Sequence, residues 1–417
     1  MRILWILLSC YLQILPLLVL TSSAEISEEL QRKYRETYLR VKTCLKNRTG
    51  KNVPPNFSWD ALRFPEDAEE HYAKLLQKTK KFRTNILPHT YSGHADPWLE
   101  NKFIDHFSSL PLSSFGGLIP LFIQWTDIHV HHFAPLNASR PDPMPDLPKD
   151  TFLSFHTEIM SMLRSTVLYV TVSQDDQGLF KLSELVPNLL SLSAGGYGNV
   201  ALPLIKGTLP YNELHTLGKA FSPGDILPST ADGTKYLPND SARWIYEIGF
   251  YGNMRSRTAR PLVMQTFLGA LERNHMKAFV HARPDWKSII ARTKFNLAPR
   301  GYGRTSFRLA EIIQIGRIPV YLYDDIPWIP YAGTNISIES FGYFAGPSDS
   351  DRVARRMRLD SQNGTELNRM LVNVRLARVH YTYEGVLAQL QMFFRNPFGP
   401  EDSGGQLRCT RLPPKPN

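Results

Sequence analysis

The residues best suited to chemistry in this chain lie around one arginine-rich turn. Arg300, Arg304 and Arg308 surround a turn that contains Gly301 and Gly303. A guanidinium group binds phosphate oxygens well because it presents several N–H donors in a fixed plane. Glycine lets the backbone come close to a ligand and adopt conformations that other residues avoid. The composition of the turn therefore favours a site for a phosphate-bearing ligand.

A helix is predicted directly after this turn. Thr305 or Ser306 is a suitable N-cap, and Gly316 is a typical residue at the helix end. The free N–H groups and the dipole at a helix start favour a bound anion. Arg308 and Glu311 share one helical face, so one can bind phosphate while the other accepts hydrogen bonds from sugar hydroxyls. They could equally form an ordinary surface pair, and the anion site is favoured by the whole combination of residues.

Two apolar segments, 295–298 and 318–323, flank the helix. A strand, a helix and a second strand in this order predict parallel strands joined by a right-handed crossover. The turn lacks the G-x-x-x-x-G-K-[ST] motif of a P-loop, and Ser306 stands where a dinucleotide fingerprint would have its third glycine. Ordinary ATPase and dehydrogenase functions are therefore poorly supported.

The spacing of residues in this segment resembles the C-terminal signature of exostosin-like glycosyltransferases, glycosyltransferase family forty-seven. In that family the pattern runs P-x-G, then S-x-R-x-x-E, then G-x-I-P-V, an Asp and a Pro. A weaker resemblance extends upstream, so that it spans roughly residues 115–335. The matching positions of the signature are Pro299, Gly301, Ser306, Arg308, Glu311, Gly316, Ile318, Pro319, Val320, Asp324 and Pro330.

The upstream resemblance supplies a candidate general base. Asp176 and Gly178 match the family's His-Asp-x-Gly strand end, whereas Asp175 replaces the histidine. That replacement leaves the role of the family's histidine in doubt. Asp176 is the candidate base, with Asp175 beside it, although an aspartate before glycine at a strand end is as often only a turn former.

The resemblance implies an α/β fold of GT-B type, with two Rossmann-like α/β domains facing a cleft. It also implies an inverting transfer of sugar from a nucleotide-sugar, with a UDP-sugar expected, to a hydroxyl of a glycan or glycoprotein. The pyrophosphate is assigned to Arg260, Arg300, Ser306 and Arg308, and the ribose hydroxyls to Glu311. No cofactor or metal is expected, and a partner subunit is consistent with the family.

Arg257 is the alternative to Arg260, because the spacing from Gly252 is loose.

Strand-like and helix-like segments alternate along the chain, which predicts an α/β protein. Four regions are assigned: a signal peptide or anchor at 1–24, an acceptor-side domain at 25–235, a nucleotide-sugar-binding domain at 236–395 and a flexible tail at 396–417. A loop rich in Pro, Gly and Asp, 221–240, is the candidate linker. The strand-like segments are 118–124, 166–172, 189–192, 200–205, 244–249, 278–281, 295–298 and 318–323.

The amino terminus sets the compartment. Residues 3–20 are apolar, follow Arg2 and precede the small residues Ser22 and Ala24. A cleaved signal peptide and a membrane anchor both fit this pattern, and cleavage is slightly favoured. In either case the chain is expected in the secretory pathway, in the lumen of the Golgi or the endoplasmic reticulum.

Sequons and cysteines agree with this compartment. Cys44 and Cys409 are expected to form a disulfide, because two lumenal cysteines are more often paired than free; two inert or intermolecular thiols are the alternative. Some of the N-x-[ST] sequons are expected to carry glycans. They begin at Asn47, Asn56, Asn137, Asn239, Asn335 and Asn363.

The net charge of +10 is compatible with several partners. Nucleic acid is not expected, because of the compartment and because no RNA-binding signature is present. An anionic substrate, an acidic glycan acceptor or simple solvation accounts for the charge. Metal binding by His129, His131 and His132 is not predicted, since no thiol partner or HExxH frame supports it.

Two other functions remain open. The chain could be a lumenal subunit or binding protein that keeps the exostosin fold without turnover, because a fold does not establish activity. It could also be a sulfotransferase, but no phosphosulfate loop is found near the amino terminus. The presence of both Arg308 and Glu311 favours an enzyme.

Overall fold

The computed structural model describes most of the chain from residue 28 to residue 410. The described residues are 28–49, 53–83, 98–126, 157–175, 179, 186–207, 209, 246–252, 254, 259–281, 286–400 and 405–410. Several predictions concern residues outside these ranges. They are the leader 1–24, the linker 221–240, the general base Asp176, the alternative Arg257, the histidines 129, 131 and 132, and the sequons at Asn137 and Asn239.

The first half of the chain forms a four-stranded parallel sheet in which the strands lie side by side in chain order. Its central strands pair in register, from Tyr169 opposite Leu189 to Ser173 opposite Ser193. Every residue of these strands is buried, as expected of a parallel sheet that is covered on both faces. The strands are β1 (Ile119–Pro120), β2 (Tyr169–Ser173), β3 (Leu189–Ser193) and β4 (Val200–Ala201).

Helices α1 (Glu28–Thr49), α2 (Ala68–Lys78) and α3 (Leu99–Phe107) belong to this first unit. In α1 the buried residues Tyr38, Val41 and Leu45 recur at helical spacing. Such a stripe places one face of a helix against the core and leaves the opposite face to solvent.

The second half forms another parallel sheet, of five strands, in which the first strand lies between the second and the third and the last two follow in chain order. Its strands are β5 (Tyr246–Tyr251), β6 (Ala278–His281), β7 (Thr293–Pro299), β8 (Ile318–Leu322) and β9 (Tyr343–Ala345). Its helices are α4 (Arg260–Arg273), α5 (Trp286–Ala291), α6 (Phe307–Ile315), α7 (Ser350–Ser361), α8 (Gly364–Ala377) and α9 (Tyr383–Arg395). The strand orders confirm the predicted fold class, an α/β fold of GT-B type with two Rossmann-like units.

The last helix crosses back to the first unit. The ring of Phe394 in α9 lies 6.1 Å from Phe103 and 5.3 Å from both Phe107 and Phe115, measured between centroids. Close aromatic pairs of this kind contribute beyond the area that they bury. A boundary at residue 235 therefore divides the chain in sequence, but α9, which comes after that boundary, packs against the first unit.

A disulfide joins the two ends of the described chain. Cys44 in α1 is bonded to Cys409, with 5.7 Å between the Cα atoms, which is the pairing preferred from the sequence. Next to it, Thr410 N donates to Asn199 O at 2.8 Å, and Leu407 is fully buried. The prediction of a flexible tail therefore does not hold for residues 405–410, because the bridge and this pairing fix their place.

Among the described residues, no helix combines the length and the apolar character needed to cross a membrane. The apolar segment 3–20 lies outside those residues.

Candidate functional site

The arginine-rich turn follows directly after β7. Arg300 N donates to Leu322 O on the neighbouring β8 at 2.9 Å, and Gly301 N closes the turn by donating to Thr305 O at 2.6 Å. Gly301 is not at a positive φ, but a Cβ there would lie 3.2 Å from Thr305 O. The expectation that this glycine supplies an unusual backbone angle is therefore corrected. It supplies space for a tight turn.

Arg300 supports the turn from inside. Its Nε donates to Gly303 O and its Nη2 to Tyr302 O, both at 3.0 Å, while Nη1 pairs with Asp324. The residue is 8% exposed. In this structure the guanidinium fixes the shape of the turn, and its predicted contact with a pyrophosphate stays a prediction.

Arg304 forms a second ion pair on the same turn. Its Nε and Nη2 donate to the carboxylate of Asp325 at 2.9 and 2.5 Å. Burial would raise the pKa of Asp325, but the hydrogen bonds from Arg304 outweigh it and hold that pKa below its ordinary value. Asp325 is therefore a fixed negative charge that orients Arg304.

Arg260 also reaches the turn, from the first residue of α4. Its Nε donates to Arg300 O at 2.9 Å, and its Nη2 lies 3.7 Å from the position that a Cβ on Gly301 would take. The structure thus brings Arg260 and Arg300 together, and their assignment to the pyrophosphate stays a prediction.

The start of α6 presents hydroxyl groups that the helix does not use. Ser306 is the N-cap, with extended backbone, but its side chain makes no capping hydrogen bond. Among the described residues, the buried Oγ1 of Thr305 has no hydrogen-bond partner either. Gly316 ends the helix in the left-handed conformation, at φ 75°, as its sequence position predicts. A ligand at this helix start would therefore meet two hydroxyl groups and the partial positive charge of the helix dipole.

Arg308 and Glu311 form a largely buried pair on the first turns of α6. Arg308 Nη1 lies 2.8 Å from Glu311 Oε2, and the side chains are 17% and 12% exposed. Nη1 nevertheless has no well-oriented hydrogen bond within the described part of the chain, so the contact is an ion pair by distance alone. Burial raises the pKa of Glu311, against the opposing effects of Arg308, Lys206 and Lys287. Burial likewise lowers the pKa of Arg308.

An aromatic ring and two lysines complete this cluster, and sequence reasoning missed all three. The Arg308 guanidinium lies 4.1 Å from the ring centre of Trp286 in α5. Lys287 and Lys206 are close enough to act on the Glu311 carboxyl. No local signal marks these residues, because they approach α6 from a different helix and from the loop after β4.

The loops of the two sheets meet at the arginine-rich turn. Arg304 N donates to Gly195 O at 3.1 Å, and the Arg304 guanidinium lies 4.0 Å from the centre of the Tyr197 ring. Nearby, Trp328 Nε1 donates to Ser193 O at 3.0 Å. β3 ends at Ser193 and β7 at Pro299, so these contacts join the carboxyl ends of parallel strands from both sheets. Ligands of open α/β sheets bind at such ends.

Glu100 is a further polar residue that the sequence did not single out. It is fully buried, and its carboxylate accepts hydrogen bonds from Thr126 N at 2.8 Å, Thr126 Oγ1 at 2.9 Å and Gln174 N at 2.7 Å. Its bond to Gln174 fixes the end of β2, next to the nearly buried Asp175. Asp176 itself lies outside the described residues.

In the described part of the chain, no group of three or more His, Cys, Asp or Glu side chains could hold a metal ion.

Four of the six sequons fall on described residues, and their asparagines are exposed: Asn47, Asn56, Asn335 and Asn363. Asn363 Oδ1 accepts the N–H of Glu366 at 3.2 Å at the start of α8. A glycan would attach through Nδ2 and leave this cap in place.

No family model matches this chain, and no curated protein matches it. Several solved structures are similar over part of the fold, and two of them are glycosyltransferases by their descriptions. One is a glycosyltransferase from Rickettsia africae ESF-5, at 11% identity and a TM-score of 0.31, which covers 60% of this chain and 67% of that one. The other is the spinosyn forosaminyltransferase SpnP, at 8% identity and a TM-score of 0.26, covering 60% of this chain and 64% of that one. The resemblance to exostosin-like enzymes stays a prediction.

Proposed function

We propose that the protein is an inverting glycosyltransferase of the secretory pathway, acting in the lumen of the Golgi or the endoplasmic reticulum. Its donor is a nucleotide-sugar, with a UDP-sugar expected, and its acceptor is a hydroxyl of a glycan or glycoprotein. The exostosin-like spacing of Ser306, Arg308 and Glu311 supports this choice, together with the geometry around them.

One observation carries the proposal: the carboxyl ends of strands from both sheets meet at the turn that contains Arg304. The contacts of Arg304 with Gly195 and Tyr197 bring the first unit against this turn. A donor held on the second unit would therefore lie beside loops of the first, where an acceptor can bind. Transfer between two substrates needs both in one place, since most of the gain comes from proximity and orientation.

The described side chains suit the donor in different ways. The start of α6, the Ser306 hydroxyl, Arg260, Arg300 and Arg308 are assigned to the pyrophosphate. Glu311 is assigned to the ribose hydroxyls. The ion pairs of Arg300 and Arg304 with Asp324 and Asp325 keep the turn in shape before the donor arrives. A site whose side chains are already ordered loses less conformational entropy when the ligand binds.

In the proposed reaction, the acceptor oxygen attacks the anomeric carbon of the donor sugar. The bond from that carbon to the phosphate oxygen breaks, and the electron pair leaves with the nucleoside diphosphate. Cations at the turn stabilise the charge that develops on the leaving group. The acceptor proton passes to a carboxylate at the end of β2, with Asp176 as the candidate and Asp175 beside it.

Calorimetric titration tests the donor site. The protein, purified from a secretory host, is titrated with UDP, GDP and phosphoadenosine phosphate in the presence of a chelator. Selective UDP binding supports the proposal and directs the search to UDP-sugars. Selective binding of phosphoadenosine phosphate would instead indicate a sulfotransferase. If none of the three binds, the protein is a non-catalytic subunit or its site is completed by a partner, and the proposal fails for the isolated chain.

Activity is measured separately from binding. Slow release of UDP from a UDP-sugar, with water as acceptor, is expected of a transferase even when its acceptor is unknown. UDP binding without release from any UDP-sugar would favour a lumenal binding protein.

A further inference from the structure

A segment of the first unit, residues 203–209, lies along helix α6 of the second unit. At the start of the helix, Pro203 and Leu204 line one small cavity together with Thr305 and Ser306. The volume of this cavity is about 10 Å³, which leaves room for a single water molecule at most. The segment is therefore closely packed against the residues that begin α6.

The other end of the segment is fixed by Gln314, near the end of α6. Its Nε2 donates to Gly207 O at 3.1 Å, and its Oε1 accepts the N–H of Leu209 at 2.8 Å. Nε2 also donates to Tyr381 O at 2.7 Å, and Gln314 is 2% exposed. Breaking either contact with the segment would leave a buried polar group without its partner, which costs free energy. The segment is thus bound to α6 at both ends.

Lys206 lies between these two anchors, and its side chain is exposed. On the helix, Glu311 lies between the same anchors, three residues before Gln314 and on the same face. The pKa of Glu311 agrees with this placement, because burial raises it and the charges of Arg308, Lys206 and Lys287 oppose the rise. The Lys206 amine is therefore near the Glu311 carboxyl while it stays accessible to a ligand.

Positive charge exceeds negative charge around Glu311. A single carboxylate faces the three cations Arg308, Lys206 and Lys287. On the neighbouring turn, by contrast, Arg300 and Arg304 are each paired with an aspartate. Cations that outnumber their acidic partners favour an anionic ligand with more than one charge, and a diphosphate is such a ligand.

We propose that Lys206 of the first unit binds the diphosphate of the donor that the second unit holds. This inference rests on the proposed function, and it adds that the donor site is completed across the junction of the two units. A lysine suits this position because its ammonium group is a compact charge on a flexible stem and can reach either phosphate. Since the donor then contacts both units, donor binding stabilises their packing.

Titration with a nucleotide and its parts tests the proposal. The wild-type protein and Lys206→Met are titrated with UDP, with inorganic pyrophosphate and with uridine. Methionine keeps most of the side-chain volume and removes the charge. UDP and pyrophosphate are expected to bind the variant at least about tenfold more weakly, because a charge-assisted contact is lost. Uridine has the ribose but no phosphate, so its affinity, followed by ligand-observed NMR, should be the same for both proteins.

The comparison of UDP with uridine separates a phosphate contact from an indirect role through Glu311. If Lys206 only neutralises Glu311, which is assigned to the ribose, Lys206→Met weakens uridine and UDP by the same factor, and the proposal is wrong. Lys206→Arg keeps the charge and should restore most of the UDP affinity. An arginine variant that binds UDP as weakly as the methionine variant would contradict a charge contact.

Lys33→Met is the matched control. Lys33 is an exposed lysine on α1 of the first unit, so the variant removes the same charge from the same unit. Its affinities for UDP, pyrophosphate and uridine should equal those of the wild type. Equal weakening of UDP by Lys33→Met and Lys206→Met would show that UDP responds only to the net charge of +10, which overturns the proposal.

The outcomes also distinguish this inference from the proposed function. If the wild-type protein does not bind UDP, the proposed function fails and the role of Lys206 fails with it. If the wild-type protein and Lys206→Met bind UDP equally, the donor site stands and only the role of Lys206 is rejected.

Discussion

The Arg304 guanidinium stacks on the ring of Tyr197, at 4.0 Å from its centre, while it is ion-paired with Asp325. Tyr197 belongs to the loop after β3 of the first sheet, whereas Arg304 and Asp325 follow β7 and β8 of the second. One arginine thus connects the two units at the place where we expect the substrates to meet.

A Gly196→Ala variant is predicted to disturb this connection. Gly196 has φ 120°, and a Cβ on it would lie 2.5 Å from Arg304 Cβ. Backbone strain alone costs about 1–3 kcal/mol, and the forced shift of Arg304 adds to it. We expect a lower midpoint of unfolding in urea and weaker UDP binding.

Gly333→Ala is the matched control for this variant. Gly333 also has a positive φ, 77°, but a Cβ there would meet no atom within 4 Å. It should show the strain without the shift of Arg304, and so bind UDP normally. Equal effects of the two variants on UDP affinity would show that the contact with Arg304 is unimportant.

Arg308→Ala and Glu311→Ala are each predicted to abolish detectable UDP binding while the protein stays folded. Arg308 loses its proposed phosphate contact, and Glu311 its contact with the ribose. Each variant also leaves a mostly buried charge without its partner, so thermal stability should fall as well. Calorimetry gives the affinity, and circular dichroism shows whether the variant is folded.

The pair Arg369 and Glu366 on α8, in which the arginine is exposed, provides the comparison for that experiment. It has the same separation of three residues and a distance of 2.7 Å, but Arg369 is 49% exposed. Arg369→Ala should change stability by at most about 1 kcal/mol and leave UDP affinity unchanged. Normal UDP affinity in a folded Arg308→Ala or Glu311→Ala variant would disprove the site assignment.

His71 predicts a pH dependence of stability. Its Nε2 lies 2.8 Å from the Tyr169 hydroxyl, and burial lowers its pKa below the ordinary 6.5, with Arg164 adding to the effect. The folded state therefore favours the neutral ring. The stability that this provides is fully present above pH 6.5 and is lost as the pH falls through the lower, folded-state pKa.

Thermal unfolding of the wild-type protein and of His71→Gln measures this effect. Between about pH 7.5 and about pH 5.5, the wild-type midpoint should fall more than that of the variant. Parallel pH profiles of the two proteins would show that His71 does not titrate on unfolding in this range.

Loss of the Cys44–Cys409 disulfide is predicted to destabilise the protein by about 3–5 kcal/mol, since its partners are 365 residues apart and a long closed loop restricts the unfolded chain most. The Cys44→Ser, Cys409→Ser variant should unfold at a lower urea concentration. Reductant should lower the wild-type midpoint and leave the variant unaffected. An unchanged midpoint in the variant would contradict the prediction.

Local patterns in the sequence determined the elements around the candidate site. The strand at 278–281, the crossover from β7 through α6 to β8, and the helix end at Gly316 were all predicted, because apolar periodicity and glycine signals act over a few neighbouring residues. The three-residue strand β9 was missed, since so short a segment becomes a strand only by pairing with β8.

Tertiary structure decided which of these residues act together. The sequence placed Arg300 among the phosphate-binding groups, but only the fold shows that it bonds to Tyr302, Gly303 and Asp324 in its own turn. The tertiary structure also brings Trp286 against Arg308 and packs α9 against the first unit. These contacts join residues far apart in the chain, and their free energy depends on burial and distance, which no local pattern encodes.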